Sequence, residues 1–98
     1  MNLDNNQINE IVRNIASANL TSKVVADVYS ESASASTGEA AVRIIIVVDP
    51  RVAEKLKGDS LLNTLVEIQS AFSESGDERL PIVEYATRDE LGDGNHRS

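Results

Sequence analysis

The chain has no cysteine, no tryptophan, one histidine and only three aromatic residues in 98. Without cysteine there is no disulfide framework, no thiolate nucleophile and no zinc site built on sulfur. The lone histidine, His96, lies among the last three residues. A general base must be held within reach of its proton, and nothing in the sequence anchors this one. No GxxxxGK[ST] or GxGxxG phosphate cradle is present; Gly92 and Gly94 form a G-x-G that no helix follows. Acidic stretches such as Ser75–Glu78 and Asp89–Asp93 lack the regular oxygen spacing of a calcium loop. No catalytic residue, metal or cofactor is therefore expected. No stretch approaches the ~20 apolar residues of a membrane span. Met1 to Glu10 lacks the basic flank and apolar run of a signal peptide. The chain reads as cytoplasmic. Basic residues are also scarce, 9 against 16 acids for a net charge of −7. That balance argues against a nucleic-acid site, which needs clustered Lys and Arg.

What remains is aliphatic. Ten Ala and 26 Ile, Leu or Val supply most of the apolar content, above the level at which disorder is the default. A core built this way has little margin at 98 residues. A homodimer that covers a sheet face would relieve that shortage.

The pattern along the chain predicts six elements. Ile8, Ile11, Val12 and Ile15 mark one face of a helix over 5–20. Asp4 and Gln7 stand at capping-box spacing, with Leu3 and Ile8 placed as a hydrophobic staple. From Lys23 to Glu31 the period falls to two, with Val24, Ala26 and Val28 on one side and Val25, Asp27 and Tyr29 on the other. Residues 30–39, SESASASTGE, are small and polar: a mobile hairpin loop, or an extension of both flanking strands. Residues 40–49 hold a continuous aliphatic run, Val42 to Val48 broken only by Arg43, and suit a central strand. Asp49-Pro50 starts a short helix over 51–57, with Gly58 as its left-handed end. A longer helix follows over 60–75, with Leu61, Leu65, Ile68 and Phe72 as its seam and Leu62 and Val66 widening it; Gly76 stops it. Leu80 to Thr87 is an edge strand, since Pro81 cannot donate to a ladder. Residues 88–98 form a disordered polar tail.

The expected fold is thus α+β, a two-layer α/β sandwich over 1–87. Its order is α-β-β-α-α-β, with a three-stranded mixed sheet and helices on one face. The second sheet face would carry Val25, Tyr29, Ile45 and Val47, too apolar to stay uncovered. Seven carboxylates against two arginines lie between Glu74 and Asp93, an acidic rim in which Asp77, Glu78 and Glu84 would dock a basic partner. Arg51, Lys55 and Lys57 form the one small basic group, a possible anion contact.

The order α-β-β-α-α-β resembles that of type II KH domains and is similar to the ribosome-binding factor A family. In a KH domain a G-x-x-G loop joins the two helices; Gly58-Asp59-Ser60-Leu61 stands at that place, with the second glycine replaced. This resemblance implies an RNA- or ribosome-associated factor using Arg51, Lys55 and Lys57. The cytoplasmic domains of cation-efflux transporters look like α-β-β-α-β modules too, and that likeness implies dimerisation through a sheet; histidines of their metal sites are absent. The residues themselves point first to a small acidic, non-catalytic interaction or regulatory domain. It would bind itself or a basic protein, as an accessory or antitoxin-like subunit does; the alternative is a KH-like RNA-associated factor.

Overall fold

A computed structural model describes residues 3–20, 24–53 and 56–87. Helix α1 spans Asn5–Leu20. Its start is the reciprocal cap that the sequence predicts: Gln7 N–H donates to Asp4 Oδ1 at 2.8 Å, and Asp4 N–H donates to Gln7 Oε1 at 2.9 Å. Ile8, Val12, Ala16 and Leu20 form its buried line, with Ile15 partly buried beside them.

Strand β1, Val25–Ser34, runs antiparallel to β2, Ala40–Val48. Residues 30–34 continue β1 in register with Ile44 to Ala40, so the loop expected over 30–39 contracts to its last five residues. Gly38 closes it with φ 92°, and its N–H donates to the Ala35 carbonyl at 2.8 Å. Strand β3, Leu80–Thr87, lies parallel to β2 on the other side, giving a three-stranded mixed sheet in the order β1-β2-β3. The tail expected over 88–98 lies outside the described residues.

The crossover differs from expectation. Its first helix is one turn, Pro50–Ala53, whose Arg51 N–H is capped by Asp49 Oδ1 at 2.9 Å. Gly58 does not end that turn in a left-handed conformation; it opens the long helix α2, Gly58–Glu74. The order of full elements is therefore α-β-β-α-β, not α-β-β-α-α-β. Helix α2 ends as expected at Gly76, φ 80°. Gly76 N–H reaches the Ser73 carbonyl and Asp77 N–H reaches that of Phe72, the paired bonds of a Schellman stop.

Both helices pack on the same side of the sheet. Ile8, Val12 and Ala16 from α1 and Ile68 and Phe72 from α2 share one cluster with alternate β2 residues Val42, Ile44, Ile46 and Val48. Thr64 is fully buried in the α2 seam because its hydroxyl donates to the Ser60 carbonyl at 2.8 Å, leaving no unpaired polar group. Leu62 and Val66 do not widen the seam: they are 58% and 49% exposed.

Candidate functional site

Among the described residues no helix lies on the second sheet face, and the register fixes what that face carries. Across β1, β2 and β3 its rows are Ala33–Ala41–Leu80, Glu31–Arg43–Ile82, Tyr29–Ile45–Glu84 and Asp27–Val47–Ala86. Tyr29 and Leu80 are 47% and 41% exposed, and Ile45 and Ile82 are half-buried. Eight of these twelve positions are apolar or aromatic, counting Tyr29. The four charges in these rows are Asp27, Glu31 and Glu84 against Arg43, a net −2 that Arg13 of α1, paired with Asp27, reduces to −1.

Arg43 sits between two of the acids. Its Nη1 donates to Glu31 Oε2 at 3.0 Å and its Nη2 to Glu84 Oε1 at 2.9 Å. The guanidinium bond holds the Glu84 carboxyl below its ordinary range. Asp27 is held low first by the Val28 N–H, 2.9 Å from its Oδ1, then by the Tyr29 hydroxyl and by Arg13, whose Nη2 lies at 3.0 Å. Glu84 and Asp27 are therefore ionised at neutral pH.

Of the residues the sequence suggests, Tyr29, Ile45, Val47 and Glu84 lie together on this face. Val25 does not. A bulge between Val25 and Asp27 sets Ala26 aside, and Val25 pairs with Val48 inside the helix-side core. One extra residue reverses the alternation on its far side. Val47 is buried within the face rather than displayed on it.

Asp77 leaves the acidic rim as well. Its side chain is 0% exposed and accepts four N–H bonds: from Leu3 N–H, from Arg79 N–H and Nε, each at 3.0 Å, and from Arg79 Nη2 at 2.7 Å. Arg79 Nη2 also donates to the Leu3 carbonyl at 2.8 Å. The Arg79 bonds hold the Asp77 carboxyl well below the usual carboxylate range. This is a latch between the chain's third residue and the turn before β3, with no charge left to offer a partner. Glu78 remains exposed beside it.

Of the basic group, Arg51 is turned back on the chain. Its Nη2 lies 2.8 Å from Asp49 Oδ2 and its Nε 3.1 Å from Asp49 Oδ1. Lys57 is exposed, and Lys55 lies outside the described residues.

Sequence reasoning missed Arg43, Leu80 and Ile82 as members of the face. Arg43 carried the signal: a cation in an otherwise aliphatic run marks the side that reaches water. Beyond the face, a cavity of about 520 Å³ lies between α2 and the start of β3, lined by Gln69, Phe72, Ser73, Glu78, Arg79 and Pro81 among others. The chain matches no family model, no curated protein and no solved structure.

Proposed function

We propose that this chain is a non-catalytic protein-interaction module whose uncovered sheet face docks a basic protein segment, in the manner of an accessory or antitoxin-like subunit. The observation that carries this reading is the composition of that face: Tyr29, Leu80, Ile45 and Ile82 beside three carboxylates and a single arginine. Apolar side chains at the centre of an interface supply affinity when buried, and an aromatic such as Tyr29 is a usual anchor. The surplus carboxylates, on a chain of net charge −7, speed encounter with cations and disfavour acidic partners.

The test uses the isotope-labelled protein and two amphipathic probe peptides, one alternating Lys and Leu, the other Glu and Leu. The basic peptide is expected to shift the amide signals of Tyr29, Ile45, Ile82 and Glu84, more weakly as salt rises. The acidic peptide is expected to leave them in place, and Ile45→Lys to remove the response. Equal response to both peptides, or shifts centred on the helices, would overturn the reading.

A further inference from the structure

The edge of the sheet formed by β3 carries a second, separate unfinished surface. Among the described residues β3 has a strand partner on one side only. Its helix-side residues Val83 and Tyr85 pack against the core and yet stay only half-buried. Helix α2 overhangs the same edge. Asn19 Nδ2 donates to Glu67 Oε1 at 3.2 Å, so the Glu67 flank of α2 faces α1. At 100° per residue, Leu62, Val66, Gln69 and Ser73 lie on the flank away from α1. Gln69 and Ser73 line the cavity against Pro81, which places that flank over β3. Leu62 and Val66, two of the four exposed large hydrophobics, thus lie above the β3 edge. β3 holds no lysine and no bulge; Pro81, near its start, removes one ladder donor, and the ladder from Ile82 onward keeps its N–H groups.

We propose that this edge is a homodimer interface in which β3 pairs antiparallel with β3 of a second copy, joining two three-stranded sheets into one of six strands. Self-pairing needs a two-fold axis through one residue of β3, and the side chains exclude Glu84, which would then oppose itself. Axes at Ile82, Val83 or Tyr85 oppose no like charges; the one at Val83 sets Val83 against Val83, Glu84 against Ile82 and Pro81 against Tyr85. The helices fit the same axis. Tyr85 Oη reaches the Leu61 carbonyl at 3.5 Å and Pro81 lies beside Phe72 and Ser73, so the level of Val83 falls near Val66. Val66 then meets Val66 of the second copy across the axis, and Leu62 meets the flank holding Gln69. Eight residues at ~3.4 Å each, through two layers ~20 Å thick, cover on the order of 500 Å² per copy. The total of about 1,000 Å² is at the lower bound for specific association, so the dimer is reversible with micromolar or weaker affinity. The inference does not rest on the peptide-docking reading, although Leu80, Ile82 and Glu84 of β3 border both surfaces.

Sedimentation equilibrium over a wide concentration range tests it. The wild-type chain is expected to pass from monomer to dimer. The double variant Leu62→Glu/Val66→Glu, changed only at exposed positions, is expected to keep its unfolding midpoint and raise the dimer Kd about tenfold or more. A second measurement uses the absence of native cysteine. In Val83→Cys the two thiols face each other at the Cα spacing of an antiparallel pair, which a disulfide can span; mild oxidation is expected to give a covalent dimer, and Ile45→Cys to give none. A chain monomeric at every concentration overturns the proposal. So does a dimer indifferent to the α2 changes, or one cross-linked through Ile45→Cys and not through Val83→Cys.

Discussion

The two edges of the sheet are finished to different degrees. At the β1 edge, Val25 and Val28 are buried under α1, a bulge interrupts the ladder, and two polar bonds fasten the helix across the strand: Arg13 to Asp27 at 3.0 Å and Ser30 to Asn9 at 2.8 Å. At the β3 edge, Val83 and Tyr85 stay half-exposed, and Tyr85 is tied to the helix above by a 3.5 Å contact with the Leu61 carbonyl and a side-chain bond with Thr64. A strand whose apolar side is sealed by its own chain has no need of a neighbour; a strand left half-covered does. The difference follows from α1, which lies over β1, while α2 must cover β2 and β3 together.

The largest expected effect comes from the buried polar latch between Leu3 and the turn before β3. Replacing Asp77 with Ala leaves the Leu3 N–H unpaired and the Arg79 guanidinium without its carboxylate, held only by the Leu3 carbonyl, at a cost of about 3 kcal/mol in urea unfolding. Amide exchange is expected to accelerate in β3 more than in β1. Next, Val28→Ala is expected to lose about 2 kcal/mol and Val83→Ala about half of that, because only the first is fully buried in the single molecule. Equal losses at micromolar concentration or below would erase the contrast between the edges.

The pH dependence has a definite sign. The Asp77 carboxyl titrates lower in the folded chain than in the unfolded one, so its contribution to stability is complete above about pH 4 and drains away as the pH falls further. Urea midpoints measured down the acid limb are expected to fall for the wild type, and Asp77→Asn is expected to lack that share of the decline. A smaller effect is expected at the β1 edge, where Arg13→Ala removes a half-exposed pair worth about 0.5 kcal/mol. The smallest belongs to Arg43→Ala. Its ion pairs are open to water, so the unfolding midpoint is expected to stay in place while binding of the basic probe strengthens.

Much of the fold is legible in the residues. The Asp4–Gln7 box, the aliphatic run of β2 and Gly76 each act through their nearest neighbours, and the structure realises each as local chemistry dictates. Three features escape for a shared reason: they depend on residues far away in the chain. The bulge at Ala26 has no marker of its own, since alanine is at home in either register, and it removes Val25 from the face where alternation places it. Asp77 followed by Arg79 reads as a solvated turn until Leu3 arrives from 74 positions away. Leu62 and Val66 belong to a broad apolar stripe, and which column of that stripe is covered depends on where α1 lies and how wide the sheet is. The candidate face was legible at Tyr29 and Ile45 and closed to sequence reading at Leu80 and Ile82, whose side is set by pairing with β2.

The Leu3–Asp77–Arg79 latch also bears on the order in which the molecule folds. Closing it brings together residues 74 positions apart, and the parallel pairing of β3 with β2 likewise waits on the helical crossover between them. Contacts of such sequence separation are slow to form, so the latch is expected to close late in folding.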